Sequence, residues 1–439
     1  MPRIELFGES DPVLAWDGTA IYGDEAALAG EPPPARLEGS AAAAQPLASG
    51  QVRLFRDRLG LGKLFWAKNA GGDLAFASQP LKLVRAGYDL GDIAAAPRGR
   101  VITLDADGSL ASVSALKPAG PTPAVSASVA QIGAHIREAL DAYLAAVATA
   151  YPDRRAYLCL SGGLDSSTIA VLARRHFSAL TAVSFDIADA GRAPSADRLA
   201  AERLCADLGV PMIEANVTTE ELISYLDTVL VAGIDWRDFN VHCGLVNAAI
   251  ADAIAQSSSE GDPPPIVITG DLPNELLVDY QPEVYKGATY YGLPRVDVAK
   301  LRSVLVDGLD TCHREVGVFG AFGLSVAQPY AACVDAYLSL PASLLAEQDR
   351  KDHLVTNIVG SELPAYIYER PKLRAQIGDT HDKGTLAACI DRGIDGSWLR
   401  GRFSALHGVG EERALDRFIR AGRYQTAMPT GTTTTEEDQ

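Results

Sequence analysis

No two of this chain's six cysteines are spaced as a CxxC pair: Cys159, Cys205, Cys243, Cys312, Cys333 and Cys389 lie far apart, mostly in apolar settings. That spacing argues against a disulfide framework or a zinc site, and for buried free thiols. Positive charge is also scarce. The chain has 39 Lys and Arg against 56 Asp and Glu, a net charge of −17, and no basic cluster. A nucleic-acid partner is not expected, because phosphate backbones need clustered cations. No basic-then-apolar leader opens the sequence, and no apolar run approaches the ~18 residues of a membrane span. A cytoplasmic protein without a membrane partner is the expectation. The Walker pattern G-x-x-x-x-G-K-[ST] is missing as well.

What is present is enough for two cores: 439 residues, 47% of them apolar. The chain is organised around AYLCLSGGLDSSTIAVLARR, residues 156–175. Tyr157 to Leu160 reads as a short buried strand, and apolar spacing after Asp165 reads as a helix. Between them, Gly162 and Gly163 let the backbone turn sharply and approach a ligand. The first free N–H groups of the helix, with Leu164 at its start, point into that turn and make a seat for an anion. Ser161, Ser166 and Ser167 add hydroxyls, and Asp165 can hold a magnesium ion against phosphate oxygens. The pattern is that of a pyrophosphate cradle, or an ordinary strand–turn–helix connection.

SGGLDSS resembles the PP-loop signature of the asparagine synthetase superfamily, which includes β-lactam synthetase, carbapenam synthetase and the lasso-peptide cyclases. The resemblance implies ATP and Mg2+ as cofactors. It implies adenylation of a carboxylate, release of pyrophosphate, and attack by an amine on the acyl-adenylate. It does not name the substrate.

Residues 1–115 carry short strand-like runs at 3–7, 51–55, 63–67 and 73–77, punctuated by Gly, Pro and Asp, which suggests a β-rich domain. FRDRLGLGKLFWA (55–67), FASQPLKLV (76–84) and RGRVITLDADG (98–108) resemble the family's N-terminal glutaminase domain, and Trp16 to Tyr22 faintly so. That activity needs Cys after the initiator Met, and Pro2 stands there instead. The expectation is a degenerate glutaminase-like domain without amidase activity, so that the amine comes from a substrate. A Pro-rich connector (116–126) separates it from an α/β synthetase domain (127–427) with a doubly wound parallel sheet, followed by a disordered tail (428–439).

Within the second domain helices are expected over Val129–Ala148 and Asp197–Leu208, and strands at 180–186, 210–216 and 265–270. Strand–helix alternation puts ligands at the carboxyl ends of parallel strands. Ser184 and Asp186 then face the same crevice as the cradle, Asp186 either against nucleotide or as a helix cap. The stretch 234–247 is read as a loop. Asp235, Asp238 and Asn240 there either touch substrate or sit in solvent, and His242 is not read as catalytic.

Gly270-Asp271-Leu272-Pro273-Asn274-Glu275 resembles the family's metal and pyrophosphate loop. By that resemblance Asp165, Asn274 and Glu275 are the metal candidates, and Asn274 stands where the family has Asp. Asp271 and Glu315 fall near the pair that deprotonates the amine in the β-lactam-forming enzymes. Two carboxylates sharing a site would give one a raised pKa and a general base; Glu315 reads equally as a surface residue. Lys351 opens the counterpart of a family helix. Lys372, in GluArgProLysLeuArg at 369–374, matches the catalytic lysine of the β-lactam-forming enzymes, or is a surface lysine after a proline turn. The expected partners are small-molecule or peptide carboxylates and amines, and a homodimer is compatible with the composition. The reading that follows is an ATP-dependent amide synthetase of specialised biosynthesis, forming a lactam or macrolactam. The competing readings are an ammonia-dependent asparagine synthetase and a nucleotide-binding pseudo-enzyme.

Overall fold

A computed structural model describes residues 4–7, 42–47, 49–116, 127–259, 261–370, 376–377 and 384–408. Pro2, the 16–22 segment, residues 117–126 of the connector and the 428–439 tail lie outside them. The chain divides into two compact units, one holding the described residues up to 116 and the other those from 127 to 408.

In the first unit, β1 (Ile4–Phe7), β5 (Leu74–Ala77), β4 (Phe65–Lys68) and β6 (Ala94–Ala95) form one four-stranded sheet. A second contains β2 (Ala42–Pro46), β3 (Val52–Arg56), β7 (Arg100–Leu104) and β8 (Leu110–Ala115), all antiparallel. Both feed one core through Leu54, Ile102, Leu74 and Phe76. The FRDRLGLG segment is a buried turn. The Arg56 guanidinium donates to the carbonyls of Gly60, Gly62 and Ala96, while Asp57 accepts from the N–H groups of Leu59, Leu61 and Gly62. Burying these charges is tolerable because each has hydrogen-bond partners.

The second unit opens with α1 (Val129–Ala150). A reciprocal capping box between Ser128 and Gln131 starts it, and the 3–4 spacing of Ile132, Ile136, Leu140, Leu144 and Val147 buries one face. A five-stranded, all-parallel sheet follows, ordered β11 (Met212–Val217), β10 (Leu180–Ile187), β9 (Ala156–Cys159), β12 (Ile266–Ile268), β13 (Ser325–Ala327). The chain runs outward from β9 to β11, then returns to the other side of β9, which is the topology that opens a crevice at the strands' carboxyl ends. Four strands and the helix α3 (Ala196–Leu208) fall where the sequence predicts. The edge strand β13 was not anticipated; its three residues are too few to show a period.

Three helices complete the site: α2 (Leu164–Ala173), α4 (Asp238–Ser257) and α6 (Arg314–Ala321). Tyr157, Val183, Ala215, Val267 and Val326 pack one sheet face against Val246, Ile250 and Ile254 of α4 and Val316 and Phe319 of α6. The expected loop at 234–247 is therefore helical from Asp238 onward. No helix among the described residues is long and apolar enough to cross a membrane. All six cysteines are free thiols, Cys205, Cys333 and Cys389 fully buried.

Candidate active site

One cavity of about 480 Å³ opens at the carboxyl ends of β9, β10 and β12. Ser161, Gly162, Gly163, Leu164, Asp165, Ser166, Ser184, Asp186, Gly270, Asp271, Asn274 and Glu275 all line it, so the sequence-derived cradle assembles in one place. Ser167 lies just behind, fully buried in α2.

The cradle is tight by construction. Gly162 has φ +70°, and a Cβ there would stand 2.6 Å from the Ala200 Cβ. A Cβ on Gly270 would stand 2.9 Å from the Ser166 backbone. Only glycine lets these segments approach so closely. The Ser161 N–H donates to Ser166 Oγ at 3.3 Å, and the Gly163 N–H donates to Ser161 Oγ at 3.3 Å.

Asp165 opens α2, and its Oδ2 accepts from Lys351 Nζ at 2.7 Å. The same ammonium reaches Asn274 Oδ1 at 2.6 Å and Asp279 Oδ2 at 3.0 Å. Lys351 comes from α7 (Arg350–Ile358) and is buried. Burial pulls its pKa down, but Asp165 and Asp279 more than offset that and hold it above the usual lysine value. Three hard oxygen donors thus converge on the Lys351 ammonium, which fills the point; they suit a magnesium ion only where that ammonium turns away from them. Among the described residues no group of three or more His, Cys, Asp or Glu is arranged for a metal; the donor set here is two carboxylates and an amide.

Glu275 does not join that set. Asn274 and Glu275 are successive residues of α5 (Pro273–Leu277), so they point about 100° apart. Glu275 Oε1 accepts from Tyr280 Oη at 2.5 Å and feels Arg314. Burial raises its pKa, with Arg314 opposing. Asp279 takes the place expected of Glu275 because the loop turns back, with Leu272 at φ +91° and Val278 at φ +56°. Such conformations are costly for non-glycine residues and cluster at functional sites. Arg350 holds the turn by donating to the carbonyls of Leu277 and Val278 at 2.9 and 2.7 Å.

Glu315 and Asp271 do not form a carboxylate pair. Arg314 lies between them, ion-paired with Glu315 and 3.6 Å from Asp271, and Glu315 does not line the cavity. The substrate candidates Asp235, Asp238 and Asn240 are not in the wall either. Asp235 is buried and accepts from the Arg237 guanidinium and from Asn240 Nδ2 at 2.7 Å, so its carboxylate is used internally. Asp238 starts α4, where a negative charge suits the helix end. His242 is fully buried, 2.7 Å from Tyr291 Oη, with burial holding its pKa down to about 3. Asp186 lines the cavity but accepts main-chain N–H bonds from Ile187 and Ser195 at 3.0 and 2.9 Å, which ties down the start of α3. Lys372 lies outside the described residues.

Sequence reasoning missed Asp279, Arg314 and Thr269 as cavity residues, and Lys351 and Arg370 line the cavity with them. Arg370 donates to the Ser161 carbonyl at 3.0 Å and pairs with Asp197. Ser184 Oγ and Thr269 Oγ1 are buried and have no partner among the described residues. Two orphan hydroxyls in one wall fit a polar ligand, because unpaired buried groups are costly. The cavity thiol Cys243 is pushed up to about 11 by burial, which rules it out as a thiolate nucleophile near neutral pH.

The sequence profile of the asparagine synthase family matches residues 135–283. No curated protein matches the chain. Solved structures similar to parts of it include an NH3-dependent NAD synthetase from Campylobacter jejuni, 20% identical over 39% of this chain and 72% of that one, TM-score 0.24. An NMN synthetase from Francisella tularensis is 15% identical over 67% and 97%, TM-score 0.31. A glutamine-dependent NAD+ synthetase from Acinetobacter baumannii, in complex with ADP, is 14% identical over 79% and 58%, TM-score 0.32. TM-scores this low carry no weight for function. The family match falls on the cradle strand, the SGGLDSS turn and the loop through Asp279, so it is in residues 135–283 that the chain is similar to the asparagine synthase family.

Proposed function

We propose that the protein is an ATP- and magnesium-dependent amide synthetase that adenylates a substrate carboxylate and releases pyrophosphate. An amine on the same molecule, closing a lactam or macrolactam, is the favoured form, in specialised biosynthesis. The observation that carries the reading is the convergence of Asp165, Asn274 and Asp279 on the Lys351 ammonium beside a glycine cradle.

Ser161, Gly162, Gly163 and Ser166, with the α2 N-terminus, seat the β- and γ-phosphates. Asp165, Asn274 and Asp279 would hold magnesium once the Lys351 ammonium turns from them to the phosphates, and the metal would neutralise phosphate charge there. A carboxylate oxygen of the substrate attacks the α-phosphorus and the bond to pyrophosphate breaks. The amine then attacks the acyl carbon, and the bond to AMP breaks. Lys351 and Arg370, which line the cavity, would offset the negative charge that builds in both steps, and Lys372 is proposed to join them from the segment after Arg370. The proton leaving the amine goes to Glu275, which faces the cavity and has a pKa raised by burial. Since that base must be ionised, turnover should fall as pH drops through Glu275's raised pKa. Ser184 and Thr269 offer their unpartnered hydroxyls to the nucleotide.

The test is ATP–pyrophosphate exchange with magnesium. Asp165→Asn keeps the side-chain shape and removes a charge, so exchange should fall ~100-fold or more. Near-normal exchange in that variant would reject the metal role of Asp165.

A further inference from the structure

A helix backs the cradle, and the chain takes pains to hold it there. The Asp186 carboxylate, at the end of β10, accepts from the Ser195 N–H at 2.9 Å and so fixes where α3 begins. Ser195 then caps α3 by accepting from the Arg198 N–H. One turn on, Ala200 seats Gly162: a Cβ on that glycine would stand 2.6 Å from the Ala200 Cβ and 3.0 Å from the Ala201 nitrogen. An ionic bridge closes the arrangement. Arg370, two residues past the short helix Ala365–Tyr368, sends Nη2 to Asp197 in the first turn of α3. Its Nη1 donates to the Ser161 carbonyl at 3.0 Å. Both side chains are largely buried, 12% and 15% exposed. A planar fork suits this bridge, because its nitrogens address two acceptors in a fixed geometry.

What Arg370 grips is the Ser161–Gly162 peptide. The C=O and N–H of a trans peptide lie in one plane on opposite sides, so holding the Ser161 oxygen also sets the Gly162 N–H. Gly162 lines the cavity, and its N–H makes no hydrogen bond among the described residues. At φ +70° it stands in a turn, and glycine has little backbone preference of its own to keep the peptide in place.

We propose that Arg370 and Asp197 are positioning residues, which with α3 hold the Ser161–Gly162 peptide so that its free N–H meets the pyrophosphate end of the nucleotide. This rests on the amide-synthetase reading for the ligand, and it gives Arg370 an action through Ser161 besides its charge. The two actions differ in sign at Asp197, which also lines the cavity. By Coulomb's law alone, deleting that negative charge favours phosphate. By positioning, it releases Arg370 and weakens the seat.

The test is calorimetric titration of the full-length protein with inorganic pyrophosphate in magnesium chloride. Asp197→Asn keeps the side-chain shape and should bind pyrophosphate about 3- to 10-fold more weakly, the scale of one hydrogen bond. Arg370→Gln should bind it about 10- to 100-fold more weakly, as for a lost charge-assisted bond. Arg370→Lys keeps the charge without the fork and should recover little of that loss. Combining Arg370→Gln with Asp197→Asn should weaken binding no further, because the two act through one link. Cooperative thermal melting reports that each variant is folded; should Arg370→Gln not fold, Asp197→Asn and Arg370→Lys decide. Asp197→Asn binding as tightly as wild type, or tighter, overturns the proposal, as does full rescue by Arg370→Lys. Wild type that does not bind pyrophosphate overturns the proposal and the cradle together. If the variants weaken binding as expected but wild type never exchanges pyrophosphate into ATP, the synthetase reading fails and the positioning stands. If exchange occurs and the variants bind pyrophosphate unchanged, the reverse holds.

Discussion

Replacing Lys351 by Met removes one ammonium and keeps most of the side chain's bulk. The wild-type nitrogen is buried and lies 2.7, 2.6 and 3.0 Å from Asp165, Asn274 and Asp279. Without it two partly buried carboxylates, side chains 19% and 20% exposed, are left together with no cation between them. Stranding charge in this way costs about 3–5 kcal/mol, which for a domain of this class lowers the melting temperature by about 6–20 °C. The same vacancy creates an oxygen-lined hole for a divalent cation. Magnesium should therefore recover much of the loss in Lys351→Met, while wild type, whose hole is filled by its own ammonium, responds less. Differential scanning calorimetry at neutral pH, with and without magnesium chloride, reads both effects. Exchange of pyrophosphate into ATP should fall by about 10²–10³-fold, the usual scale for removing a stabiliser of developing charge. A variant that melts like wild type, ignores magnesium and exchanges pyrophosphate normally would refute the whole account of this cluster.

Lys372→Ala should lower turnover by about 10²–10³-fold with little change in melting temperature; full turnover would leave Lys351 and Arg370 as the cations of the reaction. Gly162→Ala places a Cβ 2.6 Å from the Ala200 Cβ at φ +70°. It should abolish binding of a fluorescent ATP analogue and cost at least about 1–3 kcal/mol, so unchanged nucleotide affinity rejects the cradle. His242 is held neutral by burial, its pKa lowered from 6.5 to about 3. The unfolded chain takes up a proton that the folded chain refuses, so stability is fully present above pH 6.5 and is lost as pH falls toward 3, by about 1.4 kcal/mol per unit. His242→Gln should flatten that part of the acid-melting slope; an unchanged slope assigns the acid sensitivity elsewhere.

The cradle was legible because its chemistry is local: strand, two glycines, Asp165 and the serines follow one another within a single turn. The parallel sheet was legible for a similar reason, since β9, β10 and β12 are apolar runs alternating with helices. The Lys351 contact was not, because its partner Asp165 lies 186 residues away in the chain and no periodicity encodes such a meeting. Asp279 was missed because its position depends on Leu272 and Val278 adopting positive φ, which neither residue type announces. The 234–247 stretch misled through its polar start. Asp235, Arg237 and Asn240 satisfy one another, and the helix beyond buries nearly every side, from Val241 to Ile254, so it shows no polar face. Arg314 and Glu315 are adjacent, and only the fold shows that one faces the cavity and the other serves as its counter-ion.

The central claim is cleavage between the α- and β-phosphates, and the products report on it directly. Full-length protein is incubated with ATP, magnesium and pooled carboxylic acids, with hydroxylamine as a surrogate amine, and phosphorus NMR identifies what forms. Adenylation predicts AMP and pyrophosphate in equal amounts, together with a hydroxamate. Formation of ADP and inorganic phosphate would contradict it.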